Sequence, residues 1–203
     1  MSRPEVAMFD PFELRGEFFE GLVAIDEAIV ERAAEEPCRD CGGPLHRGDY
    51  PRKPRGGQLA VAAESFGRRF SLCCGREGCR HRATPPSVRF LGRRVYVGAV
   101  VIVASVIALT TMAASAIVRA TGVPARTTRR WLRWWQGPFT TSSPFVELSA
   151  RLVPAPGRLQ LPVSLLDRLA TDRALAVTRL LTWLAPITTA SSPDGSRWLR
   201  AAM

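Results

Sequence analysis

Five cysteines fall in two groups within the first half of a 203-residue chain, and they are its only cysteines. Cys38 and Cys41 stand in C-R-D-C-G-G, and Cys73, Cys74 and Cys79 follow in C-C-G-R-E-G-C. A zinc ion prefers four soft ligands in a tetrahedron, and two short loops with two cysteines each supply them. The spacing therefore predicts a structural zinc site.

The strand before the second group indicates which of its cysteines bind zinc. Residues of R-R-F-S-L-C-C alternate between two faces, so Phe70, Leu72 and Cys74 share one of them. We therefore expect the zinc ligands to be Cys38, Cys41, Cys74 and Cys79. Cys73 then remains either a buried free thiol or a substitute ligand.

The two histidines, His46 and His81, lie close to the cysteines in the sequence. Because four cysteines already complete a tetrahedron, we expect both histidines to be ordinary hydrogen-bonding side chains. No open coordination position is predicted, which disfavours a catalytic zinc.

The charge of the chain changes sign along its length. Residues 1–36 carry three arginines against ten acidic residues. Residues 37–96 carry thirteen basic against four acidic residues, and residues 97–203 carry twelve against four. The formal net charge is +10, and a positive field over most of a chain indicates a polyanionic partner.

A basic loop, H-R-G-D-Y-P-R-K-P-R-G-G, joins the two cysteine groups. Its two prolines exclude a regular strand throughout. Arg52, Lys53 and Arg55 are predicted to contact DNA phosphates, with Tyr50 available for base stacking. The alternative is a solvated basic hairpin tip.

Residues 95–118 carry no charge. By length this run could cross a bilayer, since about 20 apolar residues suffice. Basic residues flank it on both sides and give no clear orientation. The alternative, which we favour, divides the run at Thr110-Thr111 into two buried helices, the second beginning at Met112. A membrane is then not among the expected partners.

The residues that follow fit a helix-turn-helix. A helix of small residues precedes Gly122, which suits the left-handed position at a helix C-terminus. Val123 comes next as an apolar plug, and Pro124 suits the first turn of the second helix. The order of these residues predicts the turn of the motif.

The second helix of the motif, about residues 124–136, mixes tryptophans with arginines. Helical spacing places Trp131 and Trp135 on the core side, with Thr127 or Thr128. The residues expected to contact double-stranded DNA are Arg126, Thr127, Arg129, Arg130 and Arg133. Those near the helix start can reach base edges, and the later arginines hold phosphates. The alternative is the solvated face of an ordinary bundle helix.

The two ends of the chain are also predicted to be helical. Within acidic residues 9–35 the apolar positions at helical spacing are Phe18, Leu22, Ile25 and Ile29. This helix is expected to pack on the basic body or on a partner. A short helix at 144–152 and one amphipathic helix at 162–184 follow, the latter suited to docking or dimerisation.

These patterns divide the chain into four segments. They are an acidic N-terminal helical segment at 1–36, a zinc-ribbon domain at 37–95, a helix-turn-helix region at 96–136, and a C-terminal loop and amphipathic helix at 137–203. The predicted fold class is α+β and mainly helical, with a small β zinc ribbon ahead of the helices.

Between residues 37 and 136 the chain resembles the zinc-ribbon plus helix-turn-helix segments of bacterial insertion-sequence transposases and their accessory proteins. The motifs that carry the resemblance are C-R-D-C-G-G, L-C-C-G-R-E-G-C-R-H-R-A-T-P-P-S and G-V-P-A-R-T-T-R-R-W-L-R-W-W. The resemblance implies binding to the DNA ends of a mobile element or to a promoter. It also implies a partner transposase or a second copy of the chain.

The chain departs from a full transposase after Trp135. The acidic residues beyond it are Glu147, Asp167, Asp172 and Asp194. A two-metal nuclease core needs a well-spaced carboxylate set in a larger α/β domain. We therefore predict no enzyme activity and expect a transposition accessory factor or regulator.

The cysteine cluster and the lack of a signal-peptide pattern at the start of the sequence predict a cytoplasmic location. Two alternatives stay open on these residues. One is a single-pass membrane protein with a cytoplasmic zinc ribbon. The other is a zinc-ribbon adaptor that joins other proteins.

Overall fold

The computed structural model describes Phe12, Leu14 and residues 16–54, 64–91, 96–110 and 114–188. The fold is α+β and mainly helical, which confirms the predicted class. The helices are α1 (Gly16–Glu35), α2 (Gly98–Thr110), α3 (Ala114–Thr121), α4 (Ala125–Gln136), α5 (Ser143–Ser149), α6 (Val163–Leu169) and α7 (Arg173–Leu184). The strands are β1 (Leu45–Arg47), β2 (Tyr50–Pro51), β3 (Arg68–Arg69), β4 (Leu72–Cys74), β5 (Arg82–Ala83), β6 (Phe90–Leu91) and β7 (Tyr96–Val97).

The strands form short antiparallel pairings. A three-stranded sheet has the order β1-β4-β5, and separate pairs join β2 to β3 and β6 to β7. In the larger sheet Leu45 lies opposite Cys74, and His46 lies opposite Cys73. The strand that carries Cys73 and Cys74 is therefore the central strand and is held on both sides.

Helix α1 packs one side on the rest of the chain. Phe19, Leu22 and Ile29 are buried in the main core, whereas Phe18 is only partly buried. The buried stripe also includes Asp26. The predicted stripe was therefore shifted, because sequence reasoning treated every acid in this helix as solvated.

Asp26 is buried because its carboxylate is fully engaged. It accepts hydrogen bonds from Arg89 Nε at 2.7 Å and from the Ser87 hydroxyl at 2.5 Å. The Val88 N–H donates to it at 2.7 Å. The Arg89 guanidinium also lies over the Phe70 ring, 3.9 Å from its centroid. Because an unpaired buried charge is strongly disfavoured, this network fixes α1 against the segment before β6.

The uncharged run at 95–118 is divided between two helices. α2 ends at Thr110 and α3 begins at Ala114, and the predicted helix start at Met112 lies outside the described residues. α2 is buried over most of its length, with Val100 and Ile102 fully enclosed. Within the described ranges, no helix is both long enough and apolar enough to span a bilayer.

One hydrophobic cluster takes in α1, α2, α4 and the C-terminal helices. The prediction of one helix over residues 162–184 is wrong, since α6 and α7 share that stretch. The Asp172 carboxylate accepts from the Leu175 N–H at 2.7 Å and caps the start of α7. The short predicted helix at 144–152 corresponds to α5.

Candidate metal centre and basic helix face

The structure brings four of the cysteines together. Their Sγ atoms all lie within 4.8 Å of one another, and the residues are Cys38, Cys41, Cys74 and Cys79. The Sγ–Sγ distance is 3.4 Å between Cys41 and Cys74 and 3.9 Å between Cys38 and Cys79. Four sulfurs bound at about 2.3 Å to one zinc ion lie about 3.8 Å apart in a regular tetrahedron. The four-sulfur group is therefore a site that could hold a metal ion.

Backbone hydrogen bonds shape the first cysteine loop. The Gly42 N–H donates to the Cys38 carbonyl at 2.7 Å, and the Cys38 N–H donates to the Gly43 carbonyl at 2.8 Å. Gly42 has a φ of +70°, which glycine adopts without steric penalty. A Cβ on Gly43 would lie 3.1 Å from Cys74 Sγ. A larger residue there would crowd the thiols.

The second loop turns Cys79 back towards Cys74. The Cys74 N–H donates to the His81 carbonyl at 2.8 Å, and the Cys79 N–H donates to the Arg76 carbonyl at 3.2 Å. The Arg76 guanidinium in turn donates to the Cys41 carbonyl. This last bond ties the two cysteine loops to each other.

Cys73 lies on the other face of β4. Leu72 and Cys74 are buried, whereas Cys73 is only half-buried. Its Sγ lies 3.8 Å from the Arg80 carbonyl and is not part of the four-sulfur group. The alternation of the strand thus presents Cys74 to that group, and Cys73 is less buried than predicted.

The thiols of Cys41 and Cys79 have different pKa values because their surroundings differ. A backbone hydrogen bond from Gly43 is the main reason why the pKa of Cys41 is lowered to about 7. A backbone hydrogen bond from His81 favours the Cys79 thiolate, but the neighbouring Cys41 sulfur and burial outweigh it and raise the pKa of Cys79 to about 12. At neutral pH a cation must therefore displace protons from the cluster when it binds.

Neither histidine belongs to the four-sulfur group. His81 Nδ1 is 2.6 Å from an Asp40 carboxylate oxygen. A Cβ on Gly75 would lie 2.5 Å from the His46 ring, so that ring packs directly on the glycine. Four thiols without a histidine ligand are typical of a closed structural site.

The turn between α3 and α4 has the geometry that its residues predict. Gly122 has a φ of +66°, and its N–H donates to the Val118 carbonyl at 2.8 Å. Val123 is buried, and α4 begins directly after Pro124. α4 packs against α3 and more extensively against α2.

Helix α4 has an apolar face and a basic face. Thr128, Trp131 and Trp135 are buried, and Trp135 Nε1 donates to the Ser105 hydroxyl at 3.2 Å. Thr127 is half-buried. The exposed side, which we call the α4 basic face, consists of Arg126, Arg129, Arg130 and Arg133. The arginines predicted in this helix therefore share one surface.

Among the described residues, no carboxylate forms an ion pair within 4.0 Å with the α4 basic face. The sequence has no acidic residue from position 96 to position 136. Arg119 on α3 is also exposed, a residue that sequence analysis did not single out. The absence of acidic residues between positions 96 and 136 could have identified Arg119 from the sequence.

The loop between the cysteine groups forms a second basic surface. Arg52 and Lys53 are exposed, and Arg55 lies outside the described residues. The guanidinium carbons of Arg52 and Arg82 lie 5.2 and 5.3 Å from the centroid of the Tyr50 ring. Tyr50 is thus engaged in cation–π contacts, and Arg82 is a further basic residue that sequence analysis missed.

Comparisons with known proteins do not identify the chemistry of this chain, so its own residues are the basis for the assignment. No protein-family model, curated protein or solved structure matches the chain. Two features therefore carry the assignment, the four-sulfur group and the α4 basic face.

Proposed function

We propose that the chain is a zinc-stabilised protein that binds double-stranded DNA and has no catalytic centre. The α4 basic face is the observation that carries the proposal. Four exposed arginines on one helix, with no acidic partner in the described part of the chain, suit a phosphate backbone. α4 lies in the major groove, with Arg126 and Thr127 at base edges and the later arginines on phosphates.

Zinc is the metal that we assign to the four-sulfur group. Four thiolates at these separations suit a tetrahedral ion, and the thiols come from two loops that the ion would link. Its role would be structural, because the four cysteines that would hold it lie in or next to the two loops at one end of the β1-β4-β5 sheet. All five cysteines are free thiols in the structure, which suits a reducing cytoplasm.

A role in transposition is supported by the resemblance of residues 37–136 to segments of insertion-sequence transposases. We assign the chain as an accessory factor or regulator of a mobile element. A partner transposase or a second copy of the chain would act with it on the DNA.

Removal of the α4 basic face tests the proposal. We expect a variant with all four arginines changed to alanine to bind duplex DNA of any sequence more weakly. The slope of log affinity against log salt should become shallower by about three units, since Arg129, Arg130 and Arg133 hold phosphates and each phosphate contact contributes about −0.9. A control variant with equal charge loss carries alanine at the exposed positions Arg151, Arg158, Arg168 and Arg173.

Circular dichroism and metal content establish that both variants keep their fold. A folded, metal-loaded α4 variant with unchanged affinity and salt slope would show that α4 is not the recognition helix. An equal loss in the control variant would show that binding depends on net charge alone.

A further inference from the structure

An apolar cavity of about 350 Å³ that is open to solvent on one side lies against α4, bordered by the β6–β7 pair and by α2. The lining residues that matter here are Leu91, Tyr96, Val101, Trp131, Trp134 and Phe139. Cavities that bind small molecules range from about 300 to 1,000 Å³. This cavity therefore suits a ligand of one or two fused rings.

Aromatic side chains dominate the lining. The Tyr96 and Trp131 rings meet edge to face with centroids 5.2 Å apart, and the Trp134 and Phe139 centroids are 5.0 Å apart. The hydroxyl of Ser142, another lining residue, already donates to the Phe139 carbonyl. Because aromatic rings favour edge-on and offset contacts with one another, this lining suits a flat aromatic ring.

The Arg130 side chain lies at the edge of the cavity. Arg130 Nη2 donates to the Tyr96 hydroxyl at 3.0 Å, which holds the guanidinium beside the aromatic lining. Arg130 is exposed and has no carboxylate within 4.0 Å among the described residues. A guanidinium forms strong charge-assisted hydrogen bonds with carboxylates and phosphates. The edge of the cavity is thus complementary to an acidic substituent on the ring.

We propose that this cavity binds a small aromatic carboxylate. The ring lies between Trp131 and Trp134, and the carboxylate accepts hydrogen bonds from Arg130. The site is separate from the four-sulfur group. Its Arg130 also belongs to the α4 basic face, so the ligand carboxylate and a DNA phosphate would compete for this side chain.

Calorimetric titration with three probes tests the proposal on the wild-type chain. The probes are 2-naphthoate, its uncharged analogue 2-naphthamide, and cyclohexanecarboxylate, which has the charge but no aromatic ring. We expect one naphthoate per chain and an affinity at least tenfold above that of either other probe. A chain that does not bind naphthoate at millimolar concentration, or that binds all three probes equally, overturns the proposal.

Substitutions on α4 locate the carboxylate. We expect Arg130→Gln to lower naphthoate affinity about tenfold and to leave naphthamide affinity unchanged. Arg133→Gln is the matched control on the same exposed face, and we expect naphthoate affinity to be kept. Equal losses in the two variants would mean general charge attraction and would overturn the assignment of Arg130.

Filling the cavity provides an independent measurement. Val101→Phe adds a ring to its wall, and we expect it to abolish binding of both naphthyl probes. Circular dichroism reports whether this variant folds, and a folded variant that binds naphthoate with wild-type affinity contradicts the site. If the variant does not fold, the probe series and the two arginine variants still decide.

Discussion

Single residues determine which thiols belong to the four-sulfur group. Cys38 and Cys79 each contribute one sulfur to a group of four, so serine at either position leaves three. We expect such a variant to lose its metal and to unfold the β1-β4-β5 sheet, because binding of a structural metal supplies folding free energy. Atomic absorption should give about one zinc per wild-type chain and almost none in the variant.

Cys73→Ser is the matched control for these variants. The Cys73 side chain lies on the opposite face of β4 from Leu72 and Cys74. We therefore expect full metal content and an unchanged far-ultraviolet spectrum. Loss of metal from this variant would contradict the choice of Cys74 as a ligand.

Protonation of individual thiols predicts how metal affinity depends on pH. The pKa of Cys41 is about 7, so binding displaces a proton from Cys41 below that pH but not well above it. The pKa of Cys79 is about 12, so its proton is displaced throughout the neutral range. We expect log affinity to rise with pH, with a slope about one unit steeper below pH 7 than above it. Chelator competition from pH 6 to pH 8 measures both slopes. Equal slopes would contradict a pKa of about 7 for Cys41.

At the scale of elements, the two ends of α4 should affect DNA binding differently. Arg133→Ala near the C-terminal end should weaken binding to all sequences and reduce the salt slope by about one unit. Arg126→Ala near the start should relax sequence preference, at about 1–3 kcal/mol per lost base contact. Competition between specific and random duplexes separates the two effects. Identical behaviour of the two variants would contradict the groove-bound orientation.

Local signals made some elements predictable. Gly122 and Val123 specify the turn before α4 by their own conformational and burial preferences. The break between α6 and α7 was not predicted, because Asp172 was interpreted as a surface acid within one amphipathic helix. Its carboxylate instead caps the start of α7. The Asp26–Arg89 pair joins residues 63 positions apart. No local pattern reveals such a pair, because it depends on tertiary packing.

The candidate site, like the fold, was predictable from the sequence only in part. Adjacent Cys73 and Cys74 could be distinguished because strand alternation places only one of them with Leu72. The stacking of Arg82 on Tyr50 depends on how the hairpin folds and has no sequence signal. The aromatic cavity likewise arises where β7, α2 and α4 meet, and so it could not be read from any one of them.

At the scale of the whole molecule, the Asp26–Arg89 pair should contribute strongly to stability. Asp26→Ala leaves the fully buried Arg89 without a counter-ion, and we expect a loss of about 3–5 kcal/mol in the free energy of unfolding. The control is Asp167→Ala, which removes the exposed partner of Arg173 and should cost at most about 1 kcal/mol. Urea unfolding at saturating zinc measures both. Similar losses in the two variants would show that the buried Asp26–Arg89 pair contributes no more to stability than an exposed ion pair.

Helix α1 belongs to both hydrophobic clusters of the described residues. Its Phe19 and Leu22 lie in the larger one, and its Val30 and Ala33 lie in the smaller one with residues of β4 and its approach. A rigid helix that is part of two cores cannot shift without opening one of them. We therefore expect the β1-β4-β5 sheet and α4 to keep a constant separation. Under the proposed function, their contacts would fall a fixed number of base pairs apart, and the footprint on DNA would have one length.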